Sequence, residues 1–206
     1  MRGVGFVKGA LAALLCAVVL VARAEEIEVR NVNLLPVEDG FALNADFAFD
    51  FAPRLAEMVA NGVPLYFLVE FELTRPRWWW FDDKAAAKRI QLRLSYHALS
   101  RHYRLSTGLL QQQFATLDEA LHVLRRLRSW LVIDRSVPLV DANYEAALRM
   151  RLDTTLLPKP FQLSALTSRE LNLESGWRRF VFRPAVVPAP VPAPVETRDP
   201  KEADSK

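Results

Sequence analysis

The chain has 206 residues, with 27 Lys or Arg against 24 Asp or Glu, a formal excess of +3. That excess does not point to nucleic acid: Arg2, Lys8 and Arg23 all fall within the first 24 residues, and without them 24 bases face 24 acids. The one cysteine, Cys16, lies in the same opening segment, so the remainder has no thiol for a disulfide, a thiolate metal site or a cysteine nucleophile.

The opening MRGVGFVKGALAALLCAVVLVARA combines positive charge at Arg2 and Lys8, an apolar run, and the small residues Ala22 and Ala24 around Arg23. This pattern predicts a secretory signal peptide over residues 1–24, cut before Glu25, and hence a periplasmic protein. The apolar run of about a dozen residues is shorter than the ~20 that a spanning helix needs. An uncleaved leader anchoring the chain to the inner membrane is the alternative; once the leader is cut, no membrane span is expected. Leu14 and Leu15 before Cys16 are unlike a lipoprotein cleavage site.

Residues 25–183 are expected to form a single domain, long enough for a substantial core. In FALNADFAFDF, Phe41, Leu43, Ala45, Phe47, Phe49 and Phe51 share one parity, which predicts a strand with one buried face. Residues 53–61 predict a short helix closed by Gly62. Leu65, Phe67, Val69, Phe71 and Leu73 alternate as a second strand, and Ile90, Leu92, Leu94 and Tyr96 as a third. The stretch SYHALSRHYRLS predicts a hairpin about Leu99 and Ser100 that sets Tyr96 opposite Tyr103 and His97 opposite His102. T-L-D-E at residues 116–119 is a capping box opening a helix to about Arg128. Tyr144, Ala146, Leu148, Met150 and Leu152 alternate again.

Alternation on this scale predicts a mainly β fold, an antiparallel two-layer β-sandwich, immunoglobulin-like in outline, with one or two short helices. An α+β sheet with helices on one face is the alternative. From Pro184 onward RPAVVPAPVPAPVETRDPKEADSK favours polyproline II or disorder, so residues 184–206 are expected to be a proline-rich disordered tail, and a structural spacer is one role for it.

Few residue patterns suggest chemistry. Arg75, Arg77, Trp78, Trp79, Trp80 and Phe81 form an aromatic strip flanked by arginines and by Asp82 and Asp83. Three successive tryptophans cannot all face one core, and exposed indole beside arginine suits contact with a protein partner or a sugar. The strip is the expected binding surface. The facing His97 and His102 supply two of the ligands a zinc or copper ion needs, with nothing near in sequence to complete a site. No metal and no cofactor is therefore expected. Ser95, His97, Asp82 and Asp83 are the residues an envelope hydrolase of glycan or ester would use, but no nucleophile elbow accompanies them. A non-enzymatic binding module is the leading expectation.

FELTRPRWWWFDDK, RLSYHALSRHYRLS, QQFATLDEAL and LPKPFQLSALTSRELNLESGWRRFVF, taken in this order, resemble an uncharacterised proteobacterial exported family, domain-of-unknown-function family 4390. The resemblance covers nearly all of residues 25–182. It implies export to the envelope and assigns no activity and no catalytic residues. It further implies a protein partner in the envelope, a membrane sensor kinase, because such a kinase and its response regulator are encoded beside members of the family.

Overall fold

The computed structural model describes residues 27–76, 83–165 and 168–184. One sheet contains β1 (Glu28–Val37), β2 (Gly40–Ala48) and β7 (Arg126–Asp134) in the order β1-β2-β7. The other contains β3 (Leu65–Arg75), β4 (Asp83–His97), β5 (His102–Thr107), β6 (Leu110–Phe114), β8 (Tyr144–Leu152) and β9 (Arg178–Phe182), ordered β6-β5-β4-β3-β8-β9. Every pairing is antiparallel. Among the described residues three short helices, α1 (Pro53–Ala60), α2 (Leu117–Leu124) and α3 (Lys159–Ala165), lie in the connections.

The alternating residues explain why two sheets form. Leu65, Phe67, Val69, Phe71 and Leu73 of β3 are fully buried, as are Ala146, Leu148 and Met150 of β8. They share one core with Leu43, Ala45 and Phe47 of β2 and Leu127, Val132 and Ile133 of β7. A two-layer sandwich buries such one-sided sheets against each other. Its order matches the immunoglobulin arrangement: β1, β2 and β7 stand where strands A, B and E would, β3, β8 and β9 where C, F and G would. β4, β5 and β6 extend the second sheet beyond C, as variable-type domains extend theirs.

A second mark of that arrangement is Tyr144, the first residue of β8. It is buried, and its hydroxyl accepts a hydrogen bond from the backbone N–H of Val140 at 3.0 Å. This is the geometry of a tyrosine corner, which pins the crossing from one sheet to the other. Tyr144→Phe is expected to cost about 1 kcal/mol, the loss of one part-buried hydrogen bond at an otherwise exposed residue, Val140. A urea titration of both proteins measures the difference.

The helices confirm some local signals and correct others. α1 begins on Pro53, and Gly62, at φ +84°, donates its N–H to the Val59 carbonyl. Thr116 caps α2 by accepting from the Glu119 N–H at 3.2 Å, while the Glu119 carboxylate reaches back to the Ala115 N–H at 3.1 Å. α2 then stops at Leu124 rather than running to Arg128. Arg126 already belongs to β7, where Leu127 and Ile133 reach the core along a strand. α3 goes beyond the one or two short helices that the sequence predicts. It begins just after Pro158, whose carbonyl accepts from the Phe161 and Gln162 N–H groups.

Candidate binding groove

The aromatic strip forms the connection from β3 to β4. Arg75 ends β3 and its side chain binds Asp83, the first residue of β4, at 3.0 Å, closing the base of that hairpin. Arg77, Trp78, Trp79, Trp80, Phe81 and Asp82 lie outside the described residues.

The histidine hairpin has the expected register. His97 faces His102, Ser95 faces Arg104, Tyr96 faces Tyr103 and Leu94 faces Leu105. The two tyrosine rings lie 4.9 Å apart, centroid to centroid. The turn about Leu99 and Ser100 is a four-residue loop whose last member, Arg101, adopts φ +53°. Both imidazoles serve that loop. His97 Nδ1 accepts from the Ser100 N–H at 3.2 Å, and His102 Nδ1 bonds the Ser100 carbonyl. Among the described residues, no three His, Cys, Asp or Glu side chains group as metal ligands. The hydrolase set does not assemble either: Asp83 and Ser95 sit twelve positions apart on β4, roughly 40 Å along a strand.

What the fold does create is a groove between the two sheets. The first sheet ends at β7, whereas the second continues past β4 into β5 and β6, so that wing overhangs a strand edge left unpaired among the described residues. α2 packs against β5, β6 and β7 and walls one side. The resulting cavity of about 490 Å³ is lined mainly by apolar side chains, Leu92 of β4, Leu105 of β5, Leu110 of β6 and Trp130 of β7 among them, with His122 of α2 and Arg126 of β7 as charged or polar members of the wall. This volume lies within the range of ligand sites. Near Ile90, an ion pair between Lys88 and Asp134 at 2.8 Å ties the sheets together.

Local sequence shapes both walls. On β7, two residues, Arg128 and Ser129, stand opposite the single Asn44, a bulge that places Ser129 at φ +52°. Asn44 Oδ1 accepts the Ser129 N–H at 2.8 Å, and Arg128 is held by Asp46 and by the Ala45 carbonyl. A further irregularity follows between Leu131 and Ile133. The Arg128 hydrogen bond, then that of Asn31, holds the Asp46 carboxyl below its ordinary value. On the facing wall, Gly108 at φ +58° opens a two-residue turn from Thr107 to Leu110. That turn leaves Leu109 fully exposed at its tip and sets Leu110, 65% exposed, on the groove wall. Sequence reasoning missed the groove because its lining comes from five separate elements. The nearest local signal was the pair of adjacent leucines at 109 and 110.

Fold and cavity together define an immunoglobulin-type sandwich with an open, mainly apolar inter-sheet groove. The chain belongs to the family described as a domain of unknown function, DUF4390, whose model matches residues 24–181. No curated protein and no solved structure matches it. No helix among the described residues is long and apolar enough to cross a membrane.

Proposed function

We propose that this protein is an exported, non-enzymatic binding module of the cell envelope whose inter-sheet groove receives an apolar segment of a partner protein. The observation that carries the reading is the groove with the largely exposed Leu110 on its wall and the fully exposed Leu109 next to it in sequence: exposed leucine at a mainly apolar cavity marks an interaction surface. The bulges of β7 bear on the mode of binding. They interrupt the ladder a guest strand would extend, so recognition rests on side chains filling the cavity rather than on continuous strand addition. The partner to test first is the periplasmic part of a membrane sensor kinase.

The test is photocrosslinking in living cells from an amino acid placed at Leu110, at Trp79 in the aromatic strip, or at Val181, exposed on the far edge strand. A discrete protein adduct from position 110, absent from position 181, is expected, on a chain recovered from the periplasm and starting at Glu25. An adduct from position 79 alone moves the contact to the strip. A low-mass adduct at 110 replaces the protein partner with a small apolar ligand.

A further inference from the structure

We propose that the outer face of the six-stranded sheet binds a phosphomonoester dianion through Arg89, Arg149 and Arg151, which converge on the buried carboxylate of Glu70. Glu70 sits in the middle of β3, level with Arg89 on β4 and Arg149 on β8, and its alternation parity turns it away from the core. It is nevertheless only 5% exposed, because the three guanidinium groups cover it. Arg149 Nε donates to Glu70 Oε2 at 2.7 Å, Arg151 Nε approaches the same oxygen at 3.4 Å, and Arg89 Nε lies 3.3 Å from Oε1.

All three contacts use Nε. An arginine has five N–H donors in a rigid fork, so the Nη groups of each remain to receive a second acid. Three cations around one carboxylate leave the cluster at +2. A phosphomonoester carries about −1.5 to −2 at neutral pH and three acceptor oxygens, which matches that charge, whereas a carboxylate or a phosphodiester supplies half of it.

The cluster is held before any ligand arrives. The last strand is interrupted: residues 173–175 run beside Met150, Arg151 and Leu152, with the Ser175 hydroxyl accepting from the Met150 N–H, while β9 pairs only with residues 144–148. At the interruption Gly176 takes φ +59° and Trp177 lies against Arg149, whose guanidinium is 4.5 Å from the ring centroid. The surroundings leave that charge standing. Glu72 and Glu145 are engaged by Lys84 and Arg179, and the exposed Glu174, opposite Arg151, is offset on the same face by Arg93, which lies over the Tyr66 ring. This inference is independent of the groove and stands or falls apart from it.

The probes are inorganic phosphate, followed by NMR on the full chain, and vesicles of phosphatidylcholine with or without phosphatidic acid. Arg89→Gln is the safe variant, because that side chain is 73% exposed, and Arg151→Gln leaves Glu70 its shortest bond, to Arg149. Each is expected to weaken binding about fivefold or more, the loss of one charge-assisted contact. Saturable binding of free phosphate assigns a soluble ligand. Binding only to the phosphatidic acid vesicles, reduced in both variants, assigns a lipid headgroup. The proposal is overturned if neither probe binds, or if both variants bind as the unaltered chain does.

Discussion

Gly40→Ala is expected to destabilise the protein by about 3–5 kcal/mol, the sum of backbone strain and an overlap that cannot relax. Gly40 sits where the β1–β2 hairpin meets the end of β7. It is in register with Val37 on one side and Asp134 on the other, and the Asp39 carbonyl next to it accepts from the Arg135 N–H at 2.7 Å. Its φ is +140°, and a Cβ there would lie 2.0 Å from the Ile133 carbonyl oxygen and 2.9 Å from the Arg135 nitrogen. Both are backbone atoms, so no side chain can swing aside, and β7 has to part from β2. The other glycines among the described residues provide the comparison: Gly62, Gly108 and Gly176 have positive φ, but an added Cβ meets nothing within 4 Å. Alanine there costs only the left-handed conformation, about 1–2 kcal/mol. Urea midpoints rank the four variants, and hydrogen exchange in Gly40→Ala should speed β7 amides ahead of β3 amides. Equal losses for Gly40→Ala and Gly108→Ala contradict this account.

That β7 depends on one glycine illustrates which parts of the fold the sequence announces. β2, β3, β4 and β8 are visible because each carries a stretch of one-sided alternation, short in β4, where only Leu92 and Leu94 are buried, and complete in β8 at Tyr144, Ala146, Leu148, Met150 and Leu152. β7 carries no such pattern, since its bulges shift parity after Leu127 and again near Val132. β1, β6 and β9 are edge strands: Gln111, Gln112 and Gln113 in the middle of β6 are all exposed and show no period. The sandwich was therefore predictable from its central strands, while the groove, bounded by β6 and by β7, was not. The arginine cluster was hidden for a different reason. Glu70 occupies a solvent-side position in an alternating strand, and its burial depends on arginines 19, 79 and 81 positions away, a separation that only strand register reveals.

The register of the histidine hairpin shows the opposite case. Near-palindromic spacing placed His97 opposite His102 correctly, because pairing follows from the spacing alone. What the two rings do is decided by the loop between them. Ser100 engages both, through its N–H and through its carbonyl, and so the pair acts as a clasp on a turn without glycine at its centre.

The other large effect is expected at Glu70. Glu70→Leu should cost about 2–3 kcal/mol, less than the 3–5 typical of a broken buried ion pair. Arg149 and Arg151, each about 30% exposed, can recover part of their hydration. Glu70→Gln keeps the shape and should cost less. The pH dependence separates this cluster from ordinary surface pairs. Burial pushes the Glu70 carboxyl up, but the hydrogen bond and charge of Arg149, then those of Arg151, outweigh it and hold the group below its ordinary 4.5. A carboxylate with a lowered value in the folded protein takes up its proton in the unfolded chain first as pH falls. Its contribution is thus complete above about pH 4.5 and is lost below that, down through the folded value. Asp46, bound to Arg128, and Asp141, bound to Arg183, are lowered as well and titrate in the same acid window, so the unaltered chain alone cannot identify the group responsible. The difference between it and Glu70→Gln can. That difference should be constant from pH 7 to 5 and shrink below 4.5; a difference unchanged down to pH 3 would mean that the three arginines do not hold Glu70 as a carboxylate.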